Sequence, residues 1–144
     1  MAEMLVKVLG DKQLIKNLEM LPERMKKRVM KPAMRKGAAV IAKRAKKKVK
    51  SRSGLLKRSI KAKATKNGNG RTYVDPSVSG EYRGKRVVPA KYAHLVEFGT
   101  STSAAHPFLR PALEEGKREA FDAVTAEAQR QFGKLAEQRK TTLK

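Results

Sequence analysis

The chain of 144 residues carries 35 Lys and Arg against 13 Asp and Glu, a formal charge of +22, with 40% hydrophobic and 5% aromatic residues and no cysteine. Disulfides, thiol catalysis and cysteine-ligated metals are therefore excluded; no apolar run approaches the ~18 residues of a membrane span; and Met1 to Val6 put no charged leader before a long apolar stretch, so no signal peptide is expected. The length fits one domain over residues 1–139 with a disordered tail at 140–144, and a core of Ala, Val, Leu, Met and Ile is thin enough that partner surfaces are expected to supply part of its burial.

Partial alternation of Met4, Val6 and Val8 predicts a short strand over Glu3–Leu9, and Asp11 is a candidate N-cap. Leu14, Ile15, Leu18 and Leu21 then give a short amphipathic helix ending at Pro22. From Pro22 to about Lys50 the spacing predicts a long helix with Met30, Met34, Ala38, Ile41, Ala45 and Val49 on its apolar face. Pro32 is expected to kink or split it. Arg28, Lys31, Arg35, Lys43, Lys46, Lys47 and Lys50 lie off that face. Like charges at i,i+4 cost about 0.2–0.5 kcal/mol per pair, so rigidity here is expected to need packing or a negative partner.

Ser51 to Gly54 break the helix, and Leu55–Ile60 read as one helical turn entering a strand that runs through Ala64. Asn67-Gly-Asn-Gly70 is the strongest turn signal, because these residues tolerate positive φ. Arg71–Val78 reads as the returning strand with an edge or bulge at Asp75-Pro76, Gly80–Gly84 as a second turn, and Lys85–Pro89 as a further strand. Phe108 to about Arg139 is a second long helix with Leu109, Leu113, Ala120, Val124, Ala128 and Leu135 as its stripe. The expected class is α+β: a small antiparallel sheet of three to four strands, packed with a long N-terminal-half helix kinked near Pro32 and a long C-terminal helix.

Charge is uneven along this order. Between Arg24 and Val74 there are 20 basic residues and no acidic one, whereas Pro107–Arg139 holds six acids and six bases. One part of the molecule thus carries a positive field suited to a polyanion or an acidic protein face. Only Tyr73 and Tyr82 lie near the lysines, which argues against a platform for stacking single-stranded bases.

No reaction centre is expected. His94 and His106 lie in no nucleophile–base–acid arrangement, no ligand cluster has metal spacing, and Asn67–Arg71 lacks the Lys-Ser/Thr ending and following helix of a phosphate loop. The most informative words are Tyr92-Ala-His-Leu-Val-Glu-Phe-Gly-Thr100 and His106-Pro-Phe-Leu-Arg-Pro-Ala-Leu113. Gly99 stops one helical turn, Pro107 is expected to open the next helix, and Thr100, Ser101, Thr102 and Ser103 form a polar loop between them. Phe98, Phe108 and Leu109 are expected in the core. Glu97 and Arg110 are expected to pair across the loop.

These two words, with Ser53-Gly-Leu-Leu-Lys-Arg-Ser-Ile60 after a long helix, resemble the head–tail connection proteins (neck, tail-completion or minor tail proteins) of long-tailed double-stranded-DNA bacteriophages, in matching order over roughly residues 1–138. The resemblance implies a non-enzymatic virion protein at the head–tail junction or upper tail end, assembled in the host cytoplasm. Copies would form a ring, six-fold in this family, against neck and tail-tube proteins, with duplex DNA passing through and no cofactor or membrane. The corner then becomes the candidate assembly interface: Tyr92, Glu97, Phe98, Gly99, Thr100–Ser103, Pro107, Phe108 and Arg110. The alternative is a basic, nonspecific nucleic-acid-binding or DNA-packaging accessory. The lysine-rich helix reads as a solvated face, a phosphate-binding face or a dock for an acidic neighbour.

Overall fold

The computed structural model describes residues 12–50 and 54–142. The strand expected over Glu3–Leu9, the Asp11 cap and the Ser51–Ser53 break lie outside them. Helix α1 spans Lys12–Glu19 and, after Pro22, α2 spans Glu23–Lys48. Glu23 in the first turn and Lys46, Lys47 and Lys48 in the last both favour the helix dipole. Pro32 sits inside α2 without splitting it. Gly54, at φ 71°, leads into α3 (Leu55–Ser59), which passes directly into β1 (Ile60–Ala64).

β1 pairs antiparallel with β2 (Gly70–Val74), from Ile60 opposite Val74 to Ala64 opposite Gly70. The turn between them is closed by the Thr65 N–H to the Asn69 carbonyl at 2.8 Å, with Gly68 at φ 88°. β3 (Gly80–Tyr82) and β4 (Lys85–Val87) form a second hairpin. Gly80–Tyr82, expected in a turn, is therefore strand. The turn is only Arg83 and Gly84, both at positive φ as a two-residue hairpin requires.

The four strands form two separate two-stranded ladders, not the one sheet of three to four strands expected. The physical reason lies at Asp75–Ser77. Pro76 has no N–H to offer a ladder, and the Asp75 carboxylate accepts from the Ser77 N–H at 2.9 Å and the Ser77 hydroxyl at 2.7 Å. That local turn ends β2 at Val74 and redirects the chain.

A 3-10 turn, Pro89–Lys91, leads to α4 (Ala93–Phe98), and α5 runs over Leu109–Thr142. Residues 140–142, expected in the tail, continue that helix. α5 packs antiparallel to α2: Val29 shares a cluster with Ala128, Arg44 meets Glu119 at 2.6 Å, and Lys48 meets Glu115 at 2.8 Å. The second face of α2 carries the β1–β2 hairpin, where the Thr72 hydroxyl donates to the Ala38 carbonyl at 2.8 Å.

Two clusters make the core. One gathers Ile41, Ala45, Leu56, Ile60, Phe108 and Ala112; the other joins Val29, Ala33 and Ala128, with Leu18 and Leu21 packed against them. The long helices lie where their spacing predicts, and Ala38, Ile41, Ala45 and Ala128 of the predicted stripes are buried, but the buried arcs also take in small residues beside those stripes. Val29, Ala33 and Gly37 are buried where Met30 and Met34 are only half-buried, and Ala112 and Gly116 are buried where Leu113 is 51% exposed. Small residues win these positions because the helices approach closely. A Cβ on Gly37 would stand 2.6 Å from Val124 Cγ2, and one on Gly116 2.7 Å from Arg44 Cδ.

Candidate assembly surface

The corner between α4 and α5 is built by backbone groups seeking partners. Gly99 ends α4, its N–H donating to the Leu95 carbonyl at 2.8 Å. Its φ of 76° is one reason for glycine. The other is space, since a Cβ there would meet the Ala105 nitrogen at 2.7 Å. The Thr100 N–H then donates to the Ser103 carbonyl at 2.9 Å, folding the loop back on itself. Farther on, the His106 N–H reaches back to the Val96 carbonyl at 2.8 Å. The far foot of the loop is thus tied to α4.

Glu97 holds the start of α5. Its carboxylate accepts from the backbone N–H groups of Phe108 (2.8 Å), Leu109 (3.0 Å) and Arg110 (3.0 Å). A helix leaves its first four N–H groups without internal partners. Here three go to Glu97, and the fourth does not exist because the next residue is Pro111. Burial pushes the Glu97 carboxyl up, but the three N–H donors, with the Arg110 charge behind them, more than offset this and hold it below the usual carboxylate range.

This corrects the expected Glu97–Arg110 ion pair. Glu97 does grip residue 110, but through its backbone. The Arg110 guanidinium instead lies over the Phe98 ring, 5.5 Å from its centre. Pro107 does not open α5, which starts at Leu109 with Pro111 in its first turn. Phe98, expected in the core, is 66% exposed, whereas Phe108 is fully buried as expected.

The corner therefore presents a stiff base and an open top. Residues 100–107 are all exposed, and Tyr92 is half-buried beneath, packed on the core, where burial pushes its hydroxyl pKa up. Leu95, 44% exposed and one turn before Phe98, extends the apolar knob. Leu95 is not among the residues expected from sequence, although its i,i+3 relation to Phe98 is a signal for it. Equally unforeseen is an apolar groove of about 390 Å³ between α2, β2 and α5, lined by Met34, Gly37, Leu109, Leu113, Phe121 and Val124. Only the three-dimensional pairing of these elements creates it.

The second set of expected residues lies apart from the corner, on α2 and beyond its end. Arg28, Lys31, Arg35, Lys43, Lys47 and Lys50 are exposed and Lys46 is half-buried. Both histidines are exposed. Among the described residues no group of three or more His, Asp or Glu side chains is placed to hold a metal ion, and no helix is long and apolar enough to cross a membrane.

A family model described as "Bacteriophage HK97-gp10, putative tail-component" matches residues 12–99. The match runs from the start of α1 to Gly99, so it includes the word Tyr92–Gly99 and stops before His106–Leu113. No curated protein and no solved structure matches.

Proposed function

We propose, because the chain belongs to the HK97-gp10-like family of bacteriophage tail components, that it completes the joint between head and tail, or the upper end of the tail, as a ring of identical subunits. It acts by assembly rather than catalysis, against neighbouring neck and tail-tube proteins. It assembles in the host cytoplasm and ends in the virion. A six-fold ring is the expected symmetry.

The observation that carries this reading is the exposure of Phe98 on a base that Glu97 immobilises. A large aromatic residue held rigidly in solvent loses little further entropy on docking, which is what an interface anchor needs. The same chain offers a receptor, the groove with Leu113 at 51% exposure. A knob and a groove on one molecule form a head-to-tail contact, and such contacts give a ring rather than a filament when the rotation between copies closes.

Complementation of a phage lacking this protein tests the function. Wild-type protein restores infectivity, while Phe98→Asp and Leu113→Asp do not. Mixing the two variants tests the geometry: intact Phe98 of one copy can enter the intact groove of the other, giving dimers but no rings by electron microscopy. Particles that infect normally with Phe98→Asp would overturn the reading.

A further inference from the structure

A cleft of about 770 Å³ separates α2 from β1. It is lined by Lys31, Pro32, Arg35, Lys36 and Ala39 of α2 and by Ala62, Lys63 and Ala64 of β1. We propose that this cleft binds the phosphate backbone of double-stranded nucleic acid without reading its sequence. The inference rests on charge and shape at this cleft and goes beyond the proposed tail role.

Charge placement is the first argument. Lys31 and Arg35 are one helical turn apart on the same face. In the hairpin beside them, Lys63 is directly opposite Arg71, an arrangement of like charges that costs stability. The Tyr73 ring bears both, with the Lys63 ammonium 4.6 Å and the Arg71 guanidinium 5.9 Å from its centre. Elsewhere on α2, Lys26, Arg44 and Lys48 meet Glu23, Glu119 and Glu115, whereas Arg24, Lys27, Arg28, Lys43, Lys46 and Lys47 have no ion-pair partner among the described residues and add further positive charge along the same helix. Lys36 feels the charge of Glu127 on α5. Lys31, Arg35 and Lys63 have no ion-pair partner among the described residues, and no carboxylate lines the cleft.

Shape is the second argument. Proline and alanine among the lining residues leave room for a phosphate chain, with Lys31, Arg35 and Lys36 of α2 along one side and Lys63 at the rim, its ammonium over the Tyr73 ring. An acidic protein face is the other candidate occupant. Protein interfaces, however, are anchored by aromatic and aliphatic residues and are poor in lysine. The exposed large apolar residues, Met20, Leu95, Phe98 and Leu113, all lie outside this cleft. Single strands would need open rings to stack on, and Tyr73 is half-buried under two cations.

The decisive comparison uses two variants of equal net charge. One carries Lys31→Gln, Arg35→Gln and Lys63→Gln; the other carries Lys85→Gln, Arg86→Gln and Lys91→Gln on exposed sites away from the cleft. Binding to a random-sequence DNA duplex is followed by anisotropy across a salt titration. The cleft variant is expected to lower the slope of log affinity against log salt by about 2–3, near 0.9 per phosphate contact, and the other variant to leave it near wild type. Equal losses in both variants would mean diffuse attraction and would overturn the proposal. So would polyglutamate competing as well as duplex at matched charge, which would assign the cleft to an acidic protein. Duplex is also expected to protect Lys31 and Lys63 of the wild-type protein from acetylation, a readout that needs no substitution. Lysines acetylated equally fast with and without duplex would overturn the proposal as well.

Discussion

At the start of α5 three backbone N–H groups converge on the Glu97 carboxylate. Removing that carboxylate strands donors in a partly buried place, and lost caps and orphaned donors each cost on the order of 1 kcal/mol or more. Glu97→Ala is therefore expected to destabilise the fold by about 2–3 kcal/mol at pH 7, measured by urea unfolding, and Glu97→Gln by less because its carbonyl still accepts. The sign with pH follows from the carboxyl being held below its ordinary range, donors outweighing burial. Such a group stabilises fully above its unfolded pKa, about 4.3, and loses the contribution as pH falls through its lower folded value. The gap between wild type and Glu97→Ala should thus close in acid; a gap that stays constant to acid pH would mean that the charge is not what holds the helix start. Phe98 behaves oppositely. At 66% exposure its replacement by Asp should change stability by no more than about 0.5 kcal/mol, so lost infectivity in that variant would report docking and not unfolding.

At the scale of elements, the packing of α2 depends on glycines that admit neighbouring backbone or side chains. Gly70 on β2 faces the Met34 carbonyl so closely that a Cβ would strike it, and backbone in a helix cannot step aside cheaply. Gly116 instead faces side-chain atoms, Arg44 Cδ and Ile41 Cδ1, which can shift more cheaply than helix backbone even though the Arg44 guanidinium is held by Glu119. Gly70→Ala should accordingly cost about 1–3 kcal/mol through overpacking. Gly116→Ala should fall within about 1 kcal/mol of neutral, because the helix propensity gained by Ala offsets the crowding. Thermal unfolding of the two variants side by side checks this, and equal losses would show that the strand–helix contact is softer than its geometry. The positions of the long helices are legible in the sequence, because spacing of three and four survives whatever packs on it. Their buried arcs are legible only in part: Ala38, Ile41, Ala45 and Ala128 are buried as the spacing predicts, whereas Met30, Met34 and Leu113 are not. Hydropathy favours Met30 and Leu113, while close helix contact selects Ala33, Gly37, Ala112 and Gly116. Strand positions are readable from Asn67–Gly70, but the division into two ladders depends on the Asp75–Ser77 hydrogen bonds, which composition does not encode. Glu97 and Arg110 stand out in the sequence and do meet, yet the form of their contact turns on where α5 begins, and Pro107 and Pro111 are equally good first-turn signals.

Across the whole molecule, stability and charge pull against each other. The stretch from Arg24 to Val74 holds 20 basic residues and no acidic one, and its described residues fold into α2, α3 and the β1–β2 hairpin, which pack together and concentrate their repulsion. The opposing ion pairs are few and partly exposed; Arg44–Glu119 and Lys48–Glu115, each partner about a third to a half exposed, contribute at most about 1 kcal/mol apiece. Repulsion should therefore dominate the response to salt. Raising ionic strength from about 0.01 M to about 0.15 M shortens the screening length from about 30 to about 8 Å, less than the span of α2. The melting temperature is expected to rise over that range, because distant like charges are screened while contact pairs are weakened less. The Lys31→Gln, Arg35→Gln, Lys63→Gln variant, having lost three of the uncompensated cations, should melt higher than wild type at low salt and converge with it at high salt. A melting temperature that falls with salt would show that the ion pairs to α5, and not the crowded cations of α2 and its hairpin, set the electrostatic balance of the fold.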